Sequence, residues 1–153
     1  MRIASLSRAA LGVAALLLMV LSAHADSPLF TSRATLGSLN GEQIYDHICQ
    51  GCHMSGGQGA VGAGAYPKLA EDKNFASWAF VAVTVLNGRN GMPPFGYPAG
   101  RSTDSGPPHL SDAQIAAVVN YVRSHFGNRY KAEVTADEIR ALPHPAAELM
   151  GPQ

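Results

Sequence analysis

Cysteine is scarce in this sequence, with two in 153 residues, which excludes a scaffold stapled by several disulfides. Charge of one sign is lacking too: 11 basic side chains balance 11 acidic ones. No basic cluster stands out to follow a phosphate backbone, so nucleic acid is not an expected partner. Internal repeats and a second copy of any cysteine motif are missing. With 46% hydrophobic and only 14% charged residues, the chain is not a solvated, disordered tail. These absences leave a small globular protein built around one domain.

The N-terminus has the pattern of an export signal. Arg2 and Arg8 precede an uncharged run over residues 9–21, closed by the small-residue triplet Ala23-His24-Ala25, as in a secretory leader cut after residue 25. An uncleaved anchor is the alternative, but the run falls short of the roughly 20 residues that a membrane span needs. Export places the protein in the periplasm and both cysteines in an oxidising compartment. The expected organisation is a leader over 1–25, an N-terminal arm over 26–38, a core domain over 39–128 and a C-terminal extension over 129–153.

Both cysteines fall in Cys49-Gln50-Gly51-Cys52-His53, and three chemistries use that spacing. Structural zinc wants a second close pair of ligands, whereas His47, His109, His125 and His144 are scattered. A thioredoxin-like redox pair opens a helix after a strand. Here the pair follows a helical segment and precedes a glycine-rich stretch over 56–64, a context that also gives no particular support to a plain disulfide. Covalent haem attachment explains all five residues: two thiols add across the vinyl groups, and the adjacent histidine ligates the iron. The three side chains fall within about one helical turn, so all reach one side of the macrocycle. Gly57 and Gly62 have the spacing of a phosphate loop, but Ala63 and Gly64 stand where its lysine and hydroxyl residue belong, so a nucleotide does not fit.

Periodicity predicts helices on either side of the motif. Asn40 is a candidate N-cap with Gln43 at N3, Ile44 and Ile48 share one face, and Gly41 and Tyr45 share another. Residues 76–86 repeat like a helix and also alternate like a strand at Val81, Val83 and Val85; Gly88 as a stop favours helix. Ser111 and Gln114 form a capping box, Leu110 and Ile115 a hydrophobic staple, and Ile115, Val118, Val119, Val122 and Phe126 follow helical spacing until Gly127. Thr135 with Glu138, flanked by Val134 and Ile139, predicts a short helix over 136–142, ended by Pro143.

On the attachment motif and these helices, the sequence resembles class I cytochromes c from about residue 39 to 128. The resemblance implies an all-α fold, a few helices around one covalently attached haem c, with iron held between His53 and a methionine. Met92, in Gly91-Met92-Pro93-Pro94-Phe95-Gly96, is similar to the family's ligand loop, since Met1 and Met19 leave with the leader, Met54 adjoins His53 and Met150 lies in the tail. Pro93 and Pro94 hold that loop extended; a Met filling a core gap is the plain alternative. The resemblance further implies that the Pro67 carbonyl accepts from His53, that Leu69 packs on the ring, and that Gly41 and Tyr45 cross the C-terminal helix near Tyr121. For Trp78 it implies contact with a haem propionate, beside ordinary core packing.

The implied function is that of a periplasmic single-electron carrier, not an enzyme. Its partners would be a redox protein donor and acceptor, such as a periplasmic dehydrogenase and a terminal oxidase or another cytochrome, with membrane association only through a partner. Residues 119–123 and 126–128, with Val134, Thr135 and the short helix, are similar to cytochrome domains of bacterial alcohol dehydrogenases, so a dedicated subunit of a quinoprotein or flavoprotein dehydrogenase is the alternative. A haem enzyme or gas sensor with an open sixth position requires that Met92 not bind. The core carries no single-sign face, and partner contact is expected through an apolar patch around Phe95 and Tyr97, beside the equal alternative that these side chains simply cover the haem.

Overall fold

The first helix starts where Asn40 predicts it. In the computed structural model the Asn40 side chain accepts from the Gln43 amide (2.9 Å), and the Gln43 side chain accepts from the Asn40 amide (3.0 Å). Residues 38–62, 64–96 and 107–145 are described; the expected leader over 1–25, the expected arm to residue 37, Tyr97 and the tail from residue 146 lie outside the described residues. α1 (Gly41–Ile44) runs into a π-helical turn (Tyr45–Cys49) and on into α2 (Gln50–His53). The wide turn departs from the regular spacing expected. Adjacent Ile44 and Tyr45 are both fully buried, whereas Ile48, the expected partner of Ile44, is only half-buried.

Two short strands, β1 (Ala60–Val61) and β2 (Ala65–Tyr66), pair antiparallel within the glycine-rich stretch, with Ala60 opposite Tyr66. This ribbon is an addition to an otherwise helical architecture. A 3-10 turn (Lys73–Ala76), capped by the Asp72 carboxylate on the Asn74 amide (2.9 Å), leads into α3 (Trp78–Asn87). Ser77 caps α3 by accepting from the Phe80 amide (3.2 Å), and Gly88 ends it at φ 69°. The helical reading of this segment holds, starting two residues later than expected because Ser77 is extended. Val81 points inward and Val83 outward, so the valine alternation is incidental.

α4 (Asp112–Ser124) carries the expected capping box and buries Leu110 and Ile115. It stops earlier than the apolar spacing suggests. Phe126 and Gly127 take positive φ, 56° and 81°, so Phe126 is not the last rung of the helical stripe. The reversal instead lays its ring 4.7 Å from that of Tyr45. α1 crosses α4 at Gly41, where a Cβ would collide with the Ala117 carbonyl and lie 3.0 Å from the Tyr121 Cβ. The rings of Tyr45 and Tyr121 are 5.6 Å apart.

Beyond Asn128 the chain returns across α4. Asn120 bonds both backbone groups of Val134 (2.9 Å each), and the buried Arg123 donates to the carbonyls of Phe75 (3.0 Å) and Ala132 (2.6 Å). α5 (Ala136–Arg140) follows, shorter than predicted because the chain tightens, with the Leu142 amide donating to the Ile139 carbonyl (3.0 Å). Val134 and Ile139 enter the same core as Ile44 and Leu86. Among the described residues no helix is long and apolar enough to cross a membrane.

Candidate functional site

The motif residues sit at the end of the first helix. Cys49 closes the π-helical turn, while Cys52 and His53 lie on α2; the two cysteines are not joined in a disulfide, and Cys49 is half-buried and Cys52 exposed. Burial, with the neighbouring Cys52 adding to it, pushes the Cys49 thiol up to about 12. That is the opposite of the lowered value that activates a thiol of a redox-catalytic pair. Among the described residues no three His, Cys, Asp or Glu side chains gather to hold a metal ion by themselves.

His53 is buried, and its Nδ1 lies 3.0 Å from the Pro67 carbonyl oxygen. A carbonyl only accepts, so Nδ1 carries the proton and Nε2 keeps its lone pair for a metal. Pro67 is held there by residues two and three positions further on: the amides of Leu69 and Ala70 both donate to the Gly57 carbonyl (2.7 and 2.9 Å). Gly57 has φ 64°, and a Cβ on it would meet the Phe126 ring at 2.9 Å, so only glycine satisfies both the turn and the packing.

Met92 is presented by a tight turn. The Arg89 and Met92 backbones exchange two hydrogen bonds (3.1 and 2.9 Å) around Asn90 and Gly91, both at positive φ, which is a two-residue turn of the I′ kind. The Asn-Gly pair was a legible turn signal beside the prolines that predicted an extended loop. Met92, Leu69, Trp78 and Cys49 are all half-buried against the one core. Phe95 behaves differently from expectation: it is only 7% exposed, its amide donates to Val85 (3.0 Å) and its carbonyl accepts from Leu110 (2.9 Å). These bonds fix the loop between α3 and α4 and turn the ring inward, so Phe95 is a core residue and not a docking surface.

Two residues near the motif carry roles that the sequence did not disclose. Buried Asn128 accepts from the Asp72 amide (2.9 Å) and donates to the carbonyls of Leu69 (2.9 Å) and Val122 (2.8 Å), tying the loop after Pro67 to α4. Tyr45 donates its hydroxyl to the Met54 carbonyl at 2.6 Å. Burial, with Cys49 adding to it, raises the Tyr45 phenol to about 12, so it remains a donor at neutral pH. No sequence signal marks either contact, because each partner is a backbone group reached only in the folded chain.

The donor set fits a covalently held iron macrocycle. It offers two thiols three residues apart, one imidazole with a single free nitrogen, and a half-buried thioether on a separate loop. A small helical domain with this site is of the kind that carries a covalently held prosthetic group. Residues 38–126 match the family described as Cytochrome c, and the chain belongs to that family, whose members carry haem c covalently. It is 38% identical over 87 residues to a cytochrome c6 of Bumilleriopsis filiformis, covering 56% of this chain and 87% of that protein. It is 34% identical over 113 residues to a fructose dehydrogenase cytochrome subunit of Gluconobacter japonicus, covering 67% of this chain and 22% of that protein. A third relative, a cbb3-type cytochrome c oxidase subunit CcoP of Rhodobacter capsulatus, is 33% identical over 109 residues, 67% of this chain and 32% of that subunit. The chain thus spans a third or less of these dehydrogenase and oxidase subunits.

Proposed function

We propose that the protein is an exported single-electron carrier whose haem c is bound through Cys49 and Cys52 and whose iron is held by His53 and Met92. The observation that carries this reading is the 3.0 Å contact of His53 Nδ1 with Pro67, which leaves one ring nitrogen for iron on the turn that bears both thiols. When bound, the group supplies a one-electron couple between ferric and ferrous iron, and His/Met ligation favours a raised potential. The chain's own residues do the rest. Pro67 fixes the imidazole tautomer, the Asn90-Gly91 turn presents Met92, and Leu69 and Trp78 offer half-buried cover from the core. With His53 and Met92 both serving the iron, the chain would leave no place on it for a substrate and would pass electrons only.

The leader over 1–25 belongs to this proposal, as does a periplasmic location, and N-terminal sequencing of exported protein checks both by finding Asp26 first. Haem should stay with the polypeptide through denaturing electrophoresis, and its release by acid-acetone extraction would overturn the thioethers. Met92→Ala should leave haem attached yet allow carbon monoxide or imidazole to bind. A variant that keeps the wild-type spectrum and stays closed would assign the sixth position to another residue.

The second reading is a dedicated subunit passing electrons between a dehydrogenase and a further cytochrome or terminal oxidase. It is favoured by the likeness to the fructose dehydrogenase subunit, which runs over 113 residues against 87 for the cytochrome c6. Co-purification of a dehydrogenase with the protein from the native envelope would support it, and recovery of the protein alone with full reducibility by several donors would oppose it.

A further inference from the structure

The backbone leaves α2 through an unusual residue. Met54, directly after His53, has φ 63° and ψ 159°, a region that is essentially reserved for glycine and strained for a side-chain-bearing residue unless its surroundings hold it. Its carbonyl is gripped by two donors, the Tyr45 hydroxyl (2.6 Å) and the Gly57 amide (3.0 Å), and its amide donates to Gln50 (2.8 Å). Gly57 in turn accepts from Leu69 and Ala70, the residues that carry the Pro67 carbonyl to His53. One hydroxyl therefore stands at the head of a continuous chain: Tyr45 to Met54, Met54 to Gly57, Gly57 to Leu69, Pro67 to His53.

Tyr45 is placed for this by the π-helical turn that it opens, which buries it completely beside Ile44. Its ring is clamped by Phe126 at 4.7 Å and Tyr121 at 5.6 Å, so the hydroxyl cannot swing away from Met54. A phenylalanine would fill the same space but leave Met54 in its glycine-like conformation with one donor fewer.

We propose that Tyr45 is a positioning residue for the haem-binding histidine: its hydroxyl holds Met54 in a strained turn and so keeps the Pro67 carbonyl in register with His53 Nδ1. This rests on the reading of His53 as an iron ligand and goes beyond it, since it assigns the imidazole's orientation to a side chain one helix turn upstream of the motif.

The test uses holoprotein shown by mass to carry covalent haem. In Tyr45→Phe, exchange of the His53 Nδ1 proton and of the Gly57 amide, followed by NMR, should quicken at least tenfold, while Val119 in α4 keeps its wild-type rate. The midpoint potential should move with it. Adding Met54→Gly to Tyr45→Phe should return both exchange rates and the potential towards wild type, because glycine takes this conformation without help. Wild-type exchange at both protons in Tyr45→Phe would overturn the proposal, as would a faster rate that Met54→Gly fails to rescue. A wild-type chain found without covalent haem would overturn the function proposed above, and this inference with it; a haem-loaded Tyr45→Phe that behaves as wild type overturns this inference alone.

Discussion

The first helix with its π-helical turn and the returning stretch over residues 129–135 both lie against α4, but they are held by different means. On the first side the backbone comes close: Gly41 touches the Ala117 carbonyl, and aromatic rings close the gap behind it. On the second side α4 reaches out with two polar side chains. Asn120 pairs with the backbone of Val134 as a strand would, and Arg123 spans from Phe75 to Ala132. The first contact depends on a missing side chain and on the group attached downstream of it; the second depends on long side chains whose acceptors are far away in sequence. Haem should therefore matter most to the first region and the α4 side chains most to the second.

The sharpest way to separate the two is to remove the thiols. Cys49→Ala with Cys52→Ala should abolish covalent haem, and far-UV circular dichroism should show most of the helix lost, because a domain this small relies on the macrocycle to complete its core. Retention of near-wild-type helix would mean that the packing of 129–145 on α4 supports the fold unaided. Next in size is Arg123→Leu. It leaves the Phe75 and Ala132 carbonyls without their donor and should cost about 3 kcal/mol in chemical denaturation, with the haem spectrum of wild type. A changed spectrum would show that the two regions are coupled through α4. Asn120→Ala removes the paired bonds to Val134 and should cost about 2 kcal/mol, with amide exchange rising first over 130–135.

The smallest effect is one of pH. The Thr135 amide and hydroxyl hold the Glu138 carboxyl below its usual range. A carboxylate with a depressed folded value stabilises the fold above its unfolded pKa of about 4.3, and that contribution fades as pH falls through the folded value. The protection of the α5 amides, taken relative to the intrinsic exchange rate at each pH, should therefore fall on acidification below about pH 4, while that of α3 holds. Equal loosening of α3 would place the acid sensitivity elsewhere.

What was legible differs between the regions for the same reason. Asn40, Ser111 and Thr135 announced three helix starts, since a capping box is written within four residues and satisfies donors within reach of its own side chain. The attachment motif was equally local. Phe95 reads equally as a docking residue and as cover for the haem until the bonds to Val85 and Leu110, which turn it inward, are known. Phe126 fitted the helical stripe of α4 until two positive φ angles turned it towards Tyr45.

Family, prosthetic group and helix order are all readable along the chain, because each rests on neighbours within a turn or two. It takes the folded chain to show that Tyr45 reaches Met54, that Asn128 ties Leu69 to α4, that Arg123 is buried between two distant carbonyls and that Phe95 faces inward. In each of these cases a side chain answers a group whose position is fixed by packing, and packing brings together residues whose separation along the chain says nothing of their distance in space.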